Sequence, residues 1–223
     1  HRPVTRLWSR SRQTKPPYQV IVFFPGSSVI SQRSDPNAAY FDPVNFIMRS
    51  GRAMLYPIFK STHTRGDVIK NDYPSATAVW RDHMVMWSKD LGRSIDYLHS
   101  RPEIDKDRIG YLGVSWGSAI APVLLAVEPR LSLALLTVGG FDLHAAMPEA
   151  DPVNFAPRVT IPVVMLNGRF DFFFPTEASQ VPMFERLGTA TEHKRRVVYD
   201  TSHAVPRTQM VKEYVGWMGK DWS

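Results

Sequence analysis

The stretch from Ile109 to Val127 constrains the fold of this 223-residue chain more than any other. An apolar, strand-like run, Ile109-Gly110-Tyr111-Leu112, passes through Gly113-Val114-Ser115-Trp116-Gly117 into an apolar, helix-like run from Ala119 to Val127. A strand that reverses sharply into a helix brings backbone segments too close for side chains at the flanking positions, and the two glycines remove them. The turn leaves the Ser115 hydroxyl exposed at a helix N-terminus, where free N–H groups and the positive end of the helix dipole favour a negatively charged oxygen. Ser115 is therefore the candidate nucleophile. Trp116, the residue after it, is the candidate donor of one oxyanion-stabilising N–H.

A serine hydroxyl attacks well only when a base takes its proton and an acid orients that base. Pro162 to Gly168 reads as a buried parallel strand, and Asp171 lies in the loop after it. Arg195 to Tyr199 reads as the next strand, with His203 in the turn that follows. Ser115, Asp171 and His203 thus fall at one edge of the same sheet. Asp142, after the strand-like run Leu133 to Val138, is a rival acid, and Asp200 reads as a turn cap. Of the seven histidines, only His203 follows the last strand; His63, His83, His99, His144 and His193 fall on helices or loops and are expected to be mostly solvated. A second oxyanion donor is expected from Ser27. The strand-like Val20 to Phe24 ends in Pro25-Gly26-Ser27-Ser28, where Gly26 lets the backbone approach a substrate.

Strand-like and helix-like segments alternate along the chain, which predicts an α/β fold: a mostly parallel central sheet with helices on both faces. The expected series is strand Val20 to Phe24, helix near Pro43 to Ser50, strand Ala53 to Phe59 and helix near Thr77 to Arg101, then the strand leading to Ser115. In the long helix, Val85, Leu91, Ile95 and Leu98 are the expected core positions, and Gln209 to Trp217 reads as the last helix, with Val211, Val215 and Met218 on one face. Residues 1–223 read as a single domain, and at 43% hydrophobic content the chain can bury one substantial core. Too few residues separate the strands near Leu133 and Val163 for a large cap domain.

Taken together, these segments resemble an α/β-hydrolase of the dienelactone hydrolase and prolyl-oligopeptidase-like group, in which the triad follows the chain order Ser, Asp, His. The resemblance rests on Pro16 through Ser27, Leu55 through Lys60, Ile109 through Ser118, Leu166 through Asp171 and Val198 through His203. It implies a bacterial serine hydrolase acting on a small-molecule ester. A peptidase or amidase of the prolyl-oligopeptidase type, and a non-catalytic binding or regulatory domain, are the alternatives. The same stretches are similar to the hydrolase domain fused to some bacterial serine/threonine kinases, so fusion to, or association with, a kinase is a further expectation. The chain carries no kinase signature of its own.

The formal net charge of +6 does not point to a nucleic-acid partner. Arg2, Arg6, Arg10, Arg12, Lys15 and Arg33 all precede the first acid, Asp35, and the remaining 21 basic residues match the 21 acids. The excess therefore belongs to the N-terminal segment. Residues 1–19 read as a basic edge-strand segment whose arginines block strand-to-strand association. No apolar run approaches a membrane span and no signal peptide is evident. The chain opens on His1 instead of Met, as expected if upstream residues have been removed. Without cysteine there are no disulfides or thiolate metal sites, and no histidine pair has ligand spacing, so neither cofactor nor metal is expected. Tyr40, Phe59 and Phe172 are the expected walls of an aromatic substrate pocket, and the polar Ser61 to Ala78 segment is an expected part of a lid.

Overall fold

A computed structural model describes residues 6–9, 15–34, 36 and 43–222. Seven strands form one sheet: β1 (Arg6–Ser9), β2 (Tyr18–Phe24), β3 (Ala53–Pro57), β4 (Ile104–Val114), β5 (Leu133–Thr137), β6 (Val163–Gly168) and β7 (Lys194–Tyr199). Their order is β1-β3-β2-β4-β5-β6-β7. Six strands are parallel, and β1 lies antiparallel on β3 at the edge, with Arg6 opposite Pro57 and Ser9 opposite Met54. The expected edge strand is thus present over Arg6–Ser9.

The central strands are apolar almost without interruption because both faces of the sheet are covered. Side chains alternate between two cores. Val20, Val22, Phe24 and Leu55 face one side with Trp80, Trp87, Leu91 and Leu124. Ile21, Phe23, Met54 and Leu112 face the other with Tyr214, Trp217 and Met218.

The helices are α1 (Ser28–Ser31), α2 (Phe46–Arg49), α3 (Ala78–His99), α4 (Trp116–Ala119), α5 (Ala121–Val127), α6 (Pro152–Phe155), α7 (Val181–Arg186) and α8 (Arg207–Asp221). Thr77 caps α3 by accepting from the Trp80 N–H at 3.3 Å. The buried stripe of α3 runs Trp80, Met84, Trp87, Leu91, Ile95 and Leu98. Val85 was expected in this core and is instead 47% exposed. It lies one residue, about 100° around the helix, past Met84, and the two tryptophans set the phase. The expected helix near Pro43 to Ser50 contracts to the single turn α2, which ends where Gly51 takes φ 94°. The run after Ser115 divides into α4 and α5 at Ile120, because Pro122 has no N–H to continue the first helix. On α8 the buried residues are Met210, Tyr214, Trp217 and Met218, with Val211 and Val215 partly buried beside them.

Two histidines expected at the surface are buried and hydrogen-bonded. His63 Nε2 lies 2.7 Å from the Tyr56 hydroxyl and its Nδ1 2.9 Å from the Ser34 carbonyl. His83 lies 2.9 Å from Asp67 Oδ2 and 2.6 Å from the Val79 carbonyl. Each ring has partners at both nitrogens, which removes the cost of burying it. Between β5 and β6 there are only single helical turns, such as Pro148–Ala150 and α6, so no large cap covers the sheet edge. Among the described residues, no helix is long and apolar enough to cross a membrane.

Candidate active site

The turn at Ser115 is tight because its neighbours leave no room for side chains. A Cβ on Gly113 would lie 2.6 Å from the Gly117 carbonyl oxygen, and one on Gly117 would lie 2.4 Å from that of Phe24. Ser115 itself adopts φ 52°, ψ −113°, a conformation costing roughly 1–3 kcal/mol that only surrounding structure can hold in place. Those restraints are buried hydrogen bonds. The Ser115 N–H donates to the Thr137 carbonyl at 2.9 Å and the Tyr111 hydroxyl to the Gly117 carbonyl at 2.6 Å. The Ser118 hydroxyl donates to the Gly113 carbonyl at 2.7 Å and lies 3.0 Å from both the carbonyl and the N–H of Thr137. Burial raises the Tyr111 phenol well above its ordinary pKa, so it remains a donor.

The three side chains expected to converge do so. Ser115 Oγ lies 2.8 Å from His203 Nε2, and His203 Nδ1 lies 2.7 Å from Asp171 Oδ2. The second oxygen of Asp171 accepts from the N–H groups of Phe173 and Phe174 at 3.0 and 3.2 Å, so a buried carboxylate has partners on both oxygens. The rings of Phe173 and Phe174 lie 4.9 and 5.9 Å from the imidazole. The rival acid Asp142 and the expected turn cap Asp200 are engaged elsewhere. Asp142 accepts from the N–H of its neighbour His144 at 2.8 Å and lies 2.7 Å from that residue's Nδ1, while exposed Asp200 pairs with Arg169 at 2.6 Å.

Of the two expected oxyanion donors, Trp116 opens α4 and Ser27 precedes α1. Gly26 brings the second loop to the first, since a Cβ there would lie 3.4 Å from Ser115 Cβ and 4.0 Å from its Oγ. Ser115 and His203 open into a cleft of about 670 Å³ whose other walls include Ser27, Asp72, Tyr73, Asp142 and Phe172. Burial pushes the Asp72 carboxyl upward, and the nearby charge of Asp142 adds to this, against a hydrogen bond from the Ser27 side chain and the attraction of His203. Asp72 and Asp142 also border a narrow pocket of about 10 Å³ behind the cleft, walled by Trp80, Trp116 and Phe174.

The model of the dienelactone hydrolase family matches residues 56–215, a span containing all three converging side chains. The chain belongs to the dienelactone hydrolase family. Solved structures share its α/β-hydrolase fold at low identity. A cold-adapted esterase from an Arctic intertidal metagenomic library superimposes with a TM-score of 0.71 at 18% identity, covering 97% of this chain and 87% of that one. Acetyl xylan esterase 1 from a Thermoanaerobacterium species has a TM-score of 0.71 at 15% identity, covering 99% and 80%. Est1E from Butyrivibrio proteoclasticus, solved with ferulic acid bound, has a TM-score of 0.71 at 12% identity, covering 98% and 95%. No curated protein matches the chain by sequence.

Within this family fold the expected aromatic pocket is only partly realised. Phe172 lines the cleft. Phe59 does not: it is fully buried and stacks on Phe24 at 4.1 Å, because the chain has left β3 and turned beneath α3 before reaching it. Tyr40 lies outside the described residues. Sequence reasoning missed Asp72, Tyr73 and His144 as cleft residues. Tyr73 and His144 rings pack at 4.8 Å, joining the loop before α3 to the loop after β5. The polar Ser61 to Ala78 segment was a signal for the first loop, but nothing in the sequence indicated its partner.

Proposed function

We propose that this chain is a serine hydrolase that cleaves carboxylic esters, with Ser115 as nucleophile, His203 as general base and acid, and Asp171 as the group that orients the imidazole. The observation that carries this reading is the unbroken hydrogen-bond series from Asp171 through His203 to Ser115. Ser115 Oγ adds to the ester carbonyl carbon while its proton passes to His203 Nε2. The N–H groups of Ser27 and Trp116 hold the oxygen that becomes negative, and each such donor is typically worth about two to three powers of ten in turnover. Collapse of the tetrahedral adduct expels the alcohol, which leaves with the proton from His203, and the acyl group remains on Ser115. Water then repeats the sequence, delivering its proton to His203 and releasing the acid. Asp171 remains ionised and stabilises the imidazolium.

The open cleft and the absence of a large cap between β5 and β6 favour small or extended esters over long buried chains. A peptidase would use the same groups against a poorer leaving group; the esterases among the structural neighbours favour the ester reading. A fluorophosphonate probe is expected to label the protein stoichiometrically, and Ser115→Ala to abolish labelling. Turnover of short acyl esters without turnover of aminoacyl anilides separates esterase from peptidase. Undiminished labelling of the Ser115→Ala protein would remove the proposal.

A further inference from the structure

The cleft that contains Ser115 and His203 has an uneven charge. Its described walls carry two carboxylates, Asp72 from the loop before α3 and Asp142 from the loop after β5, and no lysine or arginine. The other titratable groups facing it are Tyr73, His144 and His203. His144 pairs with Asp142 and His203 with Asp171, whereas the Asp72 carboxylate receives hydrogen bonds from its own backbone and the Ser27 side chain. No full positive charge on the wall is therefore paired with Asp72.

We propose that the cleft selects esters carrying a fixed or protonated ammonium group, held between Asp72 and Asp142, and disfavours esters carrying a carboxylate. The substrate class rests on the hydrolase reading above. The electrostatic reason is that two like charges in a half-buried cleft repel: a bound cation relieves that repulsion with both carboxylates ionised, whereas without one the Asp72 carboxyl is pushed toward its protonated form. Hydroxyl groups bond carboxylates without relieving the repulsion. A second feature fits the same occupant. The exposed rings of Tyr73, Phe172 and Phe173 line the same cleft, so a cation beside the acids meets aromatic surface.

The test uses esters of matched length, in which the cation and its neutral partner are isosteric and the third member carries a carboxylate. On the alcohol side these are acetylcholine, 3,3-dimethylbutyl acetate and 3-acetoxypropanoate. On the acyl side they are alanine ethyl ester, ethyl 2-methylpropanoate and monoethyl methylmalonate. Binding is read by calorimetry on the Ser115→Ala protein, so the result does not depend on turnover, and kcat/KM is read on the native chain. In at least one series the cation is expected to bind about tenfold more tightly than its neutral isostere, and the anion more weakly than either. The cation-to-neutral ratio should fall to about one in Asp72→Asn, Asp142→Asn or the double variant. Fluorophosphonate labelling of the native chain reports separately on the hydrolase reading. Equal binding of cation and neutral isostere in both series overturns the proposal, as does tighter binding of an acetylated methyl glucoside than of any cation.

Discussion

Ser115 is held at a positive φ by its neighbours, and the glycines on either side matter for the space they leave empty. Gly117→Ala places a methyl group 2.4 Å from the Phe24 carbonyl oxygen, and backbone must move to admit it. A loss of about 1–3 kcal/mol in urea unfolding is expected, with slower fluorophosphonate labelling as the turn shifts. Asp171→Asn should leave the protein folded and lower kcat about 10⁴-fold, because an amide cannot stabilise the imidazolium or hold the same tautomer. Asp200→Asn, at a solvent-exposed pair with Arg169, should change kcat by no more than about twofold. Comparable losses in the two variants would assign the wrong acid. These residues were legible in the sequence because the turn chemistry at Gly113-x-Ser115-x-Gly117 is local, and because the chain order of the three side chains follows the strands. Asp72 was not legible: a lone acid in a polar loop has the same local signature whether it faces a cleft or water.

At the scale of the element, patterns with a short period were read correctly in existence and less well in phase. Helix α3 begins at the cap that Thr77 provides, and Thr77→Ala is expected to cost about 1 kcal/mol by denaturant titration, the usual value for losing a side-chain N-cap. An unchanged midpoint would mean that packing alone sets the start of the helix. The misassignment of Val85 has a physical origin, since a helix of 22 residues carrying several apolar groups can be rotated by one position without losing its periodicity. Trp80 and Trp87 settle the rotation. Their rings pack edge to face at 5.3 Å, and Trp87 does the same with Trp116 at 5.0 Å, so α3 is locked to the residue after Ser115. The expected helix after Ser115 divides for a reason visible in the sequence, Pro122, whose missing N–H breaks the first helix.

At the scale of the whole molecule, contacts between distant segments hold the sheet that carries the site. Trp222, at the end of the chain, packs its ring against Gly110 of β4, where a Cβ would meet it at 2.8 Å. Its carbonyl accepts from the Gln19 side chain at 3.0 Å, and its indole N–H donates to the Ser132 hydroxyl at 3.2 Å. Trp222→Ala should cost about 3–5 kcal/mol in urea unfolding, the range for emptying a buried tryptophan site. A loss below about 1 kcal/mol would mean that the C-terminal segment contributes little to the sheet.

Asp67 gives the fold a pH dependence. Burial alone would raise its carboxyl, but the Lys60 ammonium at 2.9 Å and hydrogen bonds with His83 and the Ile69 N–H outweigh that and hold it well below the usual range. A carboxyl more acidic in the folded chain stabilises the fold above its unfolded pKa, about 3.9, and this contribution is lost as pH falls toward the lowered folded value. The stability difference between the native chain and Asp67→Asn should therefore be full at neutral pH and narrow below about pH 4, as read from urea midpoints across pH. A difference independent of pH would assign the effect to packing.

By itself the sequence determined the α/β architecture, the sharp turn at Ser115 and which histidine and aspartate would lie in series with it. Each depends on short-range sterics, hydrophobic period or the order of strands along the chain. Only the tertiary structure decided what surrounds those groups: Asp72 and Tyr73 facing Asp142 and His144, Phe59 withdrawn into the core, and His63 and His83 buried with partners. Loops of unequal length meet at the edge of the sheet, and where their side chains end up depends on distances between segments that no local pattern encodes.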